Sequence, residues 1–245
     1  MPITGSSRGC LINFLYYGIE KVSILMNAVQ PPTHYCGGII ISDQWILTAA
    51  HCLEDHIRDQ FVVRLGAHSI QTQLEVNSID IPIDAIVIHE NYSPDDPDKG
   101  DLQSALINKY DFMTIDGIKV MGTVVGWGWL KDSFDNNQEE NLGNILQKVK
   151  LAIISNKECQ QWYRSQGKPL TISGRQFCAG FFNGGRDSCR GDSGGPLLVR
   201  DAETNLYHLI GIVSAGIGCA LPKLPGLYTR VDVYIHWINR YVKSS

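Results

Sequence analysis

Short apolar runs, each broken by turn residues, limit what this chain can fold into. G-G-I-I-I-S (37–42), W-I-L-T-A (45–49), Q-F-V-V-R-L-G (60–66) and D-A-I-V-I-H (84–89) occupy the first half. G-T-V-V-G-W-G (122–128), V-K-L-A-I-I (149–154), G-G-P-L-L-V (194–199) and Y-H-L-I-G-I-V-S (207–214) occupy the second. Gly, Pro, Asn and Asp separate them, as between the strands of sandwiches and barrels. One helix stands out, at the end. From Asp232 onward, Tyr234, Ile235, Trp237, Ile238, Tyr241 and Val242 recur with a 3.6-residue period, and Asp232 suits its N-cap. The expected fold class is therefore all-β with a C-terminal helix.

The 245 residues, 44% of them hydrophobic, suit one globular unit or two small halves sharing an interface. A charged fraction of 19% and a net charge of -4 give no reason to expect nucleic acid or an anionic membrane as partner. No apolar run reaches transmembrane length. L-I-N-F-L-Y-Y-G-I (11–19) lacks the flanks of a signal peptide and reads as a buried segment. D-D-P-D-K-G-D (95–101) reads as an exposed acidic loop rather than a calcium site. Cysteines stand at 10, 36, 52, 159, 178, 189 and 219 without a C-x-x-C pair. That pattern argues against bound metal and for a disulfide framework made in an oxidising compartment.

Two motifs carry chemistry, L-T-A-A-H-C (47–52) and D-S-C-R-G-D-S-G-G-P (187–196). Together with C-G-G (36–38), G-W-G (126–128), I-L-Q-K-V (145–149), I-V-S-A-G-I-G-C (212–219) and P-G-L-Y-T-R-V (225–231), they resemble the chymotrypsin/trypsin family of serine endopeptidases. The resemblance runs from about Val22 to the C-terminus, leaving 1–21 as an atypical N-terminal segment and 22–245 as the protease domain. It implies two antiparallel six-stranded barrels with the site in the cleft between them. It also implies a secreted enzyme that acts on protein or peptide substrates, admits protein protease inhibitors as partners, and needs no cofactor. No metal site is expected, since Ala67 stands where some members carry a calcium-binding carboxylate.

The resemblance assigns the roles residue by residue. Ser193 is the nucleophile and His51 the base that takes its proton. The backbone N–H groups of Gly191 and Ser193 form the oxyanion hole, where loss of one donor costs on the order of 10²–10³ in turnover. Asp187 lies at the bottom of the specificity pocket with Ser188, Ser214, Gly216 and Gly226, which implies cleavage after Arg or Lys. The implied disulfides are Cys36–Cys52, Cys159–Cys178 and Cys189–Cys219, with Cys10 left over.

Three departures qualify this picture. The family frees an apolar amino terminus whose ammonium pairs with the aspartate before the serine, here Asp192. The corresponding stretch reads S-R-G-C at 7–10, so Asp192 is expected to lack a cationic partner. The triad carboxylate has no intact motif. G-D-L-Q-S-A-L-I offers Asp101 and K-Y-D-F-M-T-I offers Asp111; the spacing to His51 and Ser193 favours Asp101. The interval from there to G-W-G is short for the family, which predicts an imperfect first barrel. Ala215 replaces a Trp that walls the site for upstream substrate side chains. A second reading stays open beside the active enzyme: a catalytically weak homologue or truncated isoform serving as a binding or regulatory module.

Overall fold

The computed structural model describes residues 21–27, 31–54, 57–70, 75, 78–93, 114–115, 118–130 and 143–242. Asp101, Asp111, Cys10, the 11–19 segment and the acidic loop at 95–101 lie outside them.

Five strands form the first sheet: β1 (Lys21–Met26), β2 (Thr33–Ile40), β3 (Ile46–Leu47), β4 (Phe61–Leu65) and β5 (Ile79–Pro82). Their order is β3-β2-β1-β4-β5, with antiparallel pairing throughout. It is a curled half-barrel, five-stranded among the described residues. β1 is central, and Lys21 to Leu25 are all buried. Side chains alternate along a strand, so Val22 and Ile24 share one face while Lys21 and Ser23 share the other. Ile24 packs with Cys36, Ile39, Leu47 and Phe61. The opposite face meets the second half, where the Lys21 ammonium donates to the Val125 carbonyl.

A two-stranded ribbon of β6 (Thr114–Ile115) and β7 (Ile118–Lys119) precedes the second half. There β8 (Met121–Gly126), β9 (Gln147–Ile154), β10 (Gln176–Gly180), β11 (Pro196–Arg200), β12 (Tyr207–Ala215) and β13 (Gly226–Arg230) close into a six-stranded barrel. Val124, Leu151, Ile153, Phe177, Leu197 and Tyr228 fill it. Between the halves, Leu198, Leu209 and Ile212 join Ile24 and Phe61 in one cluster. Burial of each such side chain contributes about 1.5–3 kcal/mol.

Helix α1 (Asn156–Ser165) was not anticipated from the sequence. Its signal is S-N-K-E at 155–158, where the Ser155 hydroxyl accepts the Glu158 N–H at 3.2 Å. Cys159, Trp162 and Tyr163, spaced three and four apart, form its buried stripe. Helix α2 (Ile235–Val242) begins later than expected. Asp232 does not cap it; it lies in the 3₁₀ turn Val231–Val233 and receives two hydrogen bonds from Arg230. D-A-I-V-I-H forms no ladder among the described residues. Its buried His89 instead packs its ring against Tyr234 and Trp237, at 5.7 and 5.4 Å between centroids. W-I-L-T-A contributes only the two residues of β3.

Three disulfides cross the structure: Cys36–Cys52, Cys159–Cys178 and Cys189–Cys219. Each contributes typically about 2–4 kcal/mol, mainly by restricting the unfolded chain.

Candidate active site

The turn that carries Ser193 is fixed by its own backbone. The Asp192 N–H donates to the Cys189 carbonyl at 2.9 Å, and the Gly195 N–H to the Asp192 carbonyl at 2.9 Å. Gly194 N–H donates to Val213 O at 2.8 Å, tying the turn to β12. Among the described residues, the N–H groups of Gly191 and Ser193 take no part in this pattern. Gly191 at φ +88° and Gly194 at φ +77° lie in the left-handed region that glycine adopts without steric cost.

The same turn docks on the first half. The Gly37 N–H donates to the Ser193 carbonyl at 2.7 Å, and the Thr48 hydroxyl to the Gly37 carbonyl at 2.8 Å. A Cβ at Gly194 would lie 3.1 Å from the Ala49 nitrogen. His51 follows directly, in the 3₁₀ turn Ala50–Cys52. The fold thus sets the Ser193 turn against the segment leading into His51. The Cys36–Cys52 bridge ties that segment to β2. His51 and the two cysteine sulfurs lie within 4.8 Å of one another, but the sulfurs are spent on each other. This trio is not a metal site.

Asp192 does have a cationic neighbour, contrary to expectation. Its Oδ1 accepts the Gly128 N–H at 3.0 Å, and its Oδ2 accepts the Cys189 N–H at 3.0 Å. Lys21 Nζ lies 4.0 Å from Oδ1. Glycines make the room: a Cβ at Gly126 would come within 2.7 Å of Lys21 Nζ, and one at Gly128 would run into the Asp192 carboxylate. Burial pulls the Lys21 ammonium down to about 8 while the Asp192 charge pulls it back up. The Trp127 ring lies below it, 5.0 Å from Nζ to the centroid.

His34 on β2 holds Gly191 from the other side. Its Nε2 is 2.8 Å from the Gly191 carbonyl, and its Nδ1 is 2.6 Å from the Ser23 hydroxyl. A carbonyl only accepts, so Nε2 carries the proton and Ser23 donates to Nδ1. Burial, aided by the Lys21 charge, lowers His34 to about 4, which keeps the ring neutral. Sequence reasoning missed Lys21, Ser23 and His34. The signal for Lys21 and Ser23 is K-V-S in a strand that is otherwise apolar, with two polar residues on one face.

Asp187 sits in a slot walled by glycines. Its Oδ1 accepts the Ser188 N–H at 2.9 Å and its Oδ2 the Ala220 N–H at 3.1 Å. Ser188, itself buried, bonds the Tyr228 hydroxyl at 2.9 Å. A Cβ on Gly226 would lie 2.9 Å from Asp187 Oδ1, and one on Gly216 would lie 3.9 Å from the Gly226 Cα. The missing side chain at Gly226 thus keeps the space beside Asp187 Oδ1 clear, whereas a side chain at Gly216 would make only ordinary contacts. Ser214 is buried on β12, and the Cys189–Cys219 bridge joins the two chain segments around the slot. Burial raises the Asp187 carboxyl to about 7 against three backbone N–H donors that lower it. A site that holds a carboxyl in this balance gains by receiving a cation.

Ala215 is exposed beside the slot. It lines a cleft of about 350 Å³ with Tyr163, Lys168, Leu170, Ile217 and Leu227. The small side chain leaves this surface open.

A sequence model of the trypsin family matches residues 20–238. Trypsin from Sus scrofa is 34% identical over 223 residues, covering 87% of this chain and 87% of its own length. Trypsin II-P29 from Gallus gallus is 36% identical over 221 residues, covering 86% and 81%. Coagulation factor XI from Bos taurus is 34% identical over 228 residues, covering 86% of this chain; there the chain spans only 34% of the relative's length. With the motifs, the half-barrel and barrel, and a family match over most of its length, the chain belongs to the trypsin family of serine proteases.

Proposed function

We propose that this protein is a secreted endopeptidase that cleaves after Arg or Lys through an acyl-enzyme. The observation that carries the specificity is Asp187, a half-buried carboxyl at the base of a slot kept clear by the missing side chain at Gly226. A guanidinium or ammonium entering the slot supplies the charge that burial makes favourable. Secretion is supported by the three disulfides, which persist in oxidising compartments.

The chemistry follows from the family's triad. Ser193 Oγ attacks the scissile carbonyl carbon as His51 takes its proton. The resulting oxyanion is received by the Gly191 and Ser193 N–H groups. Collapse expels the amine, which takes the proton from His51 and leaves an ester on Ser193. Water then attacks the ester with His51 again as base, releasing the acid and restoring the serine. Asp101 is our proposal for the carboxylate that holds His51 in its working tautomer, with Asp111 the alternative.

The experiment is a mixed-sequence peptide library digested by the purified protein, with cut sites read by mass spectrometry. Cuts confined to bonds after Arg and Lys, and lost in Asp187→Ser, are expected. Cuts after apolar residues, or an unchanged preference in Asp187→Ser, overturn the specificity.

A further inference from the structure

Lys21 is a charged side chain only 2% exposed, and the proposed reaction does not use it. Burying an ammonium is costly unless something nearby needs it. What lies nearby is Asp192, 4.0 Å from Nζ. Among the described residues, Lys21 is the cation paired with Asp192. Two residues along the same face of β1, Ser23 reaches Gly191 through His34. One strand face therefore holds two consecutive residues of the serine turn, Gly191 by its carbonyl and Asp192 by its carboxylate.

We propose that Lys21 is a positioning residue: its ammonium, set by β1 beside Asp192, holds the Cys189–Gly195 turn in the shape that directs the Gly191 and Ser193 N–H groups to one point. The proposal deepens the endopeptidase reading and takes its chemical meaning from it. The arrangement supplies from within the first sheet the cation that the family otherwise draws from a freed amino terminus. Three further features support it. The Lys21 ammonium donates to Val125, so it is anchored rather than swinging. Gly126 and Gly195 clear its path, with a Cβ at either falling 2.7 or 3.3 Å from Nζ. The titratable groups facing Nζ among the described residues are Asp192 and His34; with Lys21 at about 8 and His34 at about 4, neutral pH leaves the first charged and the second neutral.

The test uses the intact chain in four forms: wild type, Lys21→Met, Lys21→Arg and Asp192→Asn. The first readout is the amide ¹H–¹⁵N shift of Gly191 and Ser193, which needs no turnover. The second is the rate at which a fluorophosphonate labels Ser193, without prior proteolysis. Expected are displaced Gly191 and Ser193 amides in folded Lys21→Met, a labelling rate lower by roughly tenfold or more, and partial recovery of both in Lys21→Arg. Wild-type amide positions in folded Lys21→Met overturn the proposal. If Lys21→Met does not fold, the Lys21 ¹⁵Nζ titration is compared in wild type and Asp192→Asn. A lower midpoint in Asp192→Asn supports the pairing, and an unchanged one overturns it. Displaced amides together with an unlabelled wild type support the positioning role and overturn the peptidase reading instead, so the two failures are told apart.

Discussion

On the proposed specificity, Asp187 is a proton-coupled cation site, and the coupling has a size. The free carboxyl is raised to about 7 by burial. A bound amidinium favours the ionised form and lowers it. At pH 8 the free carboxyl is about 90% ionised, so binding costs little deprotonation. At pH 6 only about one carboxyl in ten is ionised, and the apparent affinity falls about tenfold, near 1.4 kcal/mol. The sign is fixed: affinity for a cation rises with pH through about 7 and then levels off, and binding at pH 6 releases close to one proton. Calorimetry of benzamidine binding from pH 5.5 to 8.5, in buffers of different ionisation heat, reads both quantities. In Asp187→Asn the affinity falls and its steep pH dependence disappears. A flat wild-type profile, or the same slope in Asp187→Asn, refutes the reasoning.

Three other outcomes follow from particular contacts. Because the folded Lys21 titrates near 8 and the unfolded one near 10.5, the unfolded state binds more protons between those values. The unfolding free energy of wild type should therefore gain on that of Lys21→Met by on the order of 2–3 kcal/mol as pH rises from 8 to 10.5; denaturant titrations that show no gain contradict the burial. Gly194→Ala places a Cβ at φ +77° and 3.1 Å from the Ala49 nitrogen, so it should cost about 2 kcal/mol or more; an unchanged thermal midpoint counts against the docking of the serine turn. Ala215→Trp covers the 350 Å³ cleft and should lower KM for peptides with apolar upstream residues by up to about tenfold, with kcat held; an effect confined to kcat contradicts that role.

The strands around the site were legible because turn residues delimit them and because G-D-S-G-G-P and A-A-H-C mark two fixed places in the fold. The pairing of six cysteines was implied by the resemblance, and the three bridges join those same residues. What escaped the sequence was what one element does to another. D-A-I-V-I-H is as apolar as a strand, yet it forms no ladder among the described residues, and its one buried residue, His89, packs on Tyr234 and Trp237. Asp232 has the chemistry of a helix cap, but Arg230, two residues earlier, claims its carboxylate. Lys21 reads as an ordinary charged residue until β1 proves central and buried on both faces. The stretch at 7–10, from which Asp192 was expected to lack a cation, lies outside the described residues; among the described residues Lys21 stands 4.0 Å from its carboxylate.

The central claim, that Ser193 is an activated nucleophile, is tested most directly by incubating the folded protein with a fluorophosphonate and mapping the adduct by mass spectrometry. The account predicts one adduct per chain, on Ser193, formed without prior proteolysis and lost in His51→Ala. A folded protein that takes up no label, or that is labelled at another residue, contradicts it.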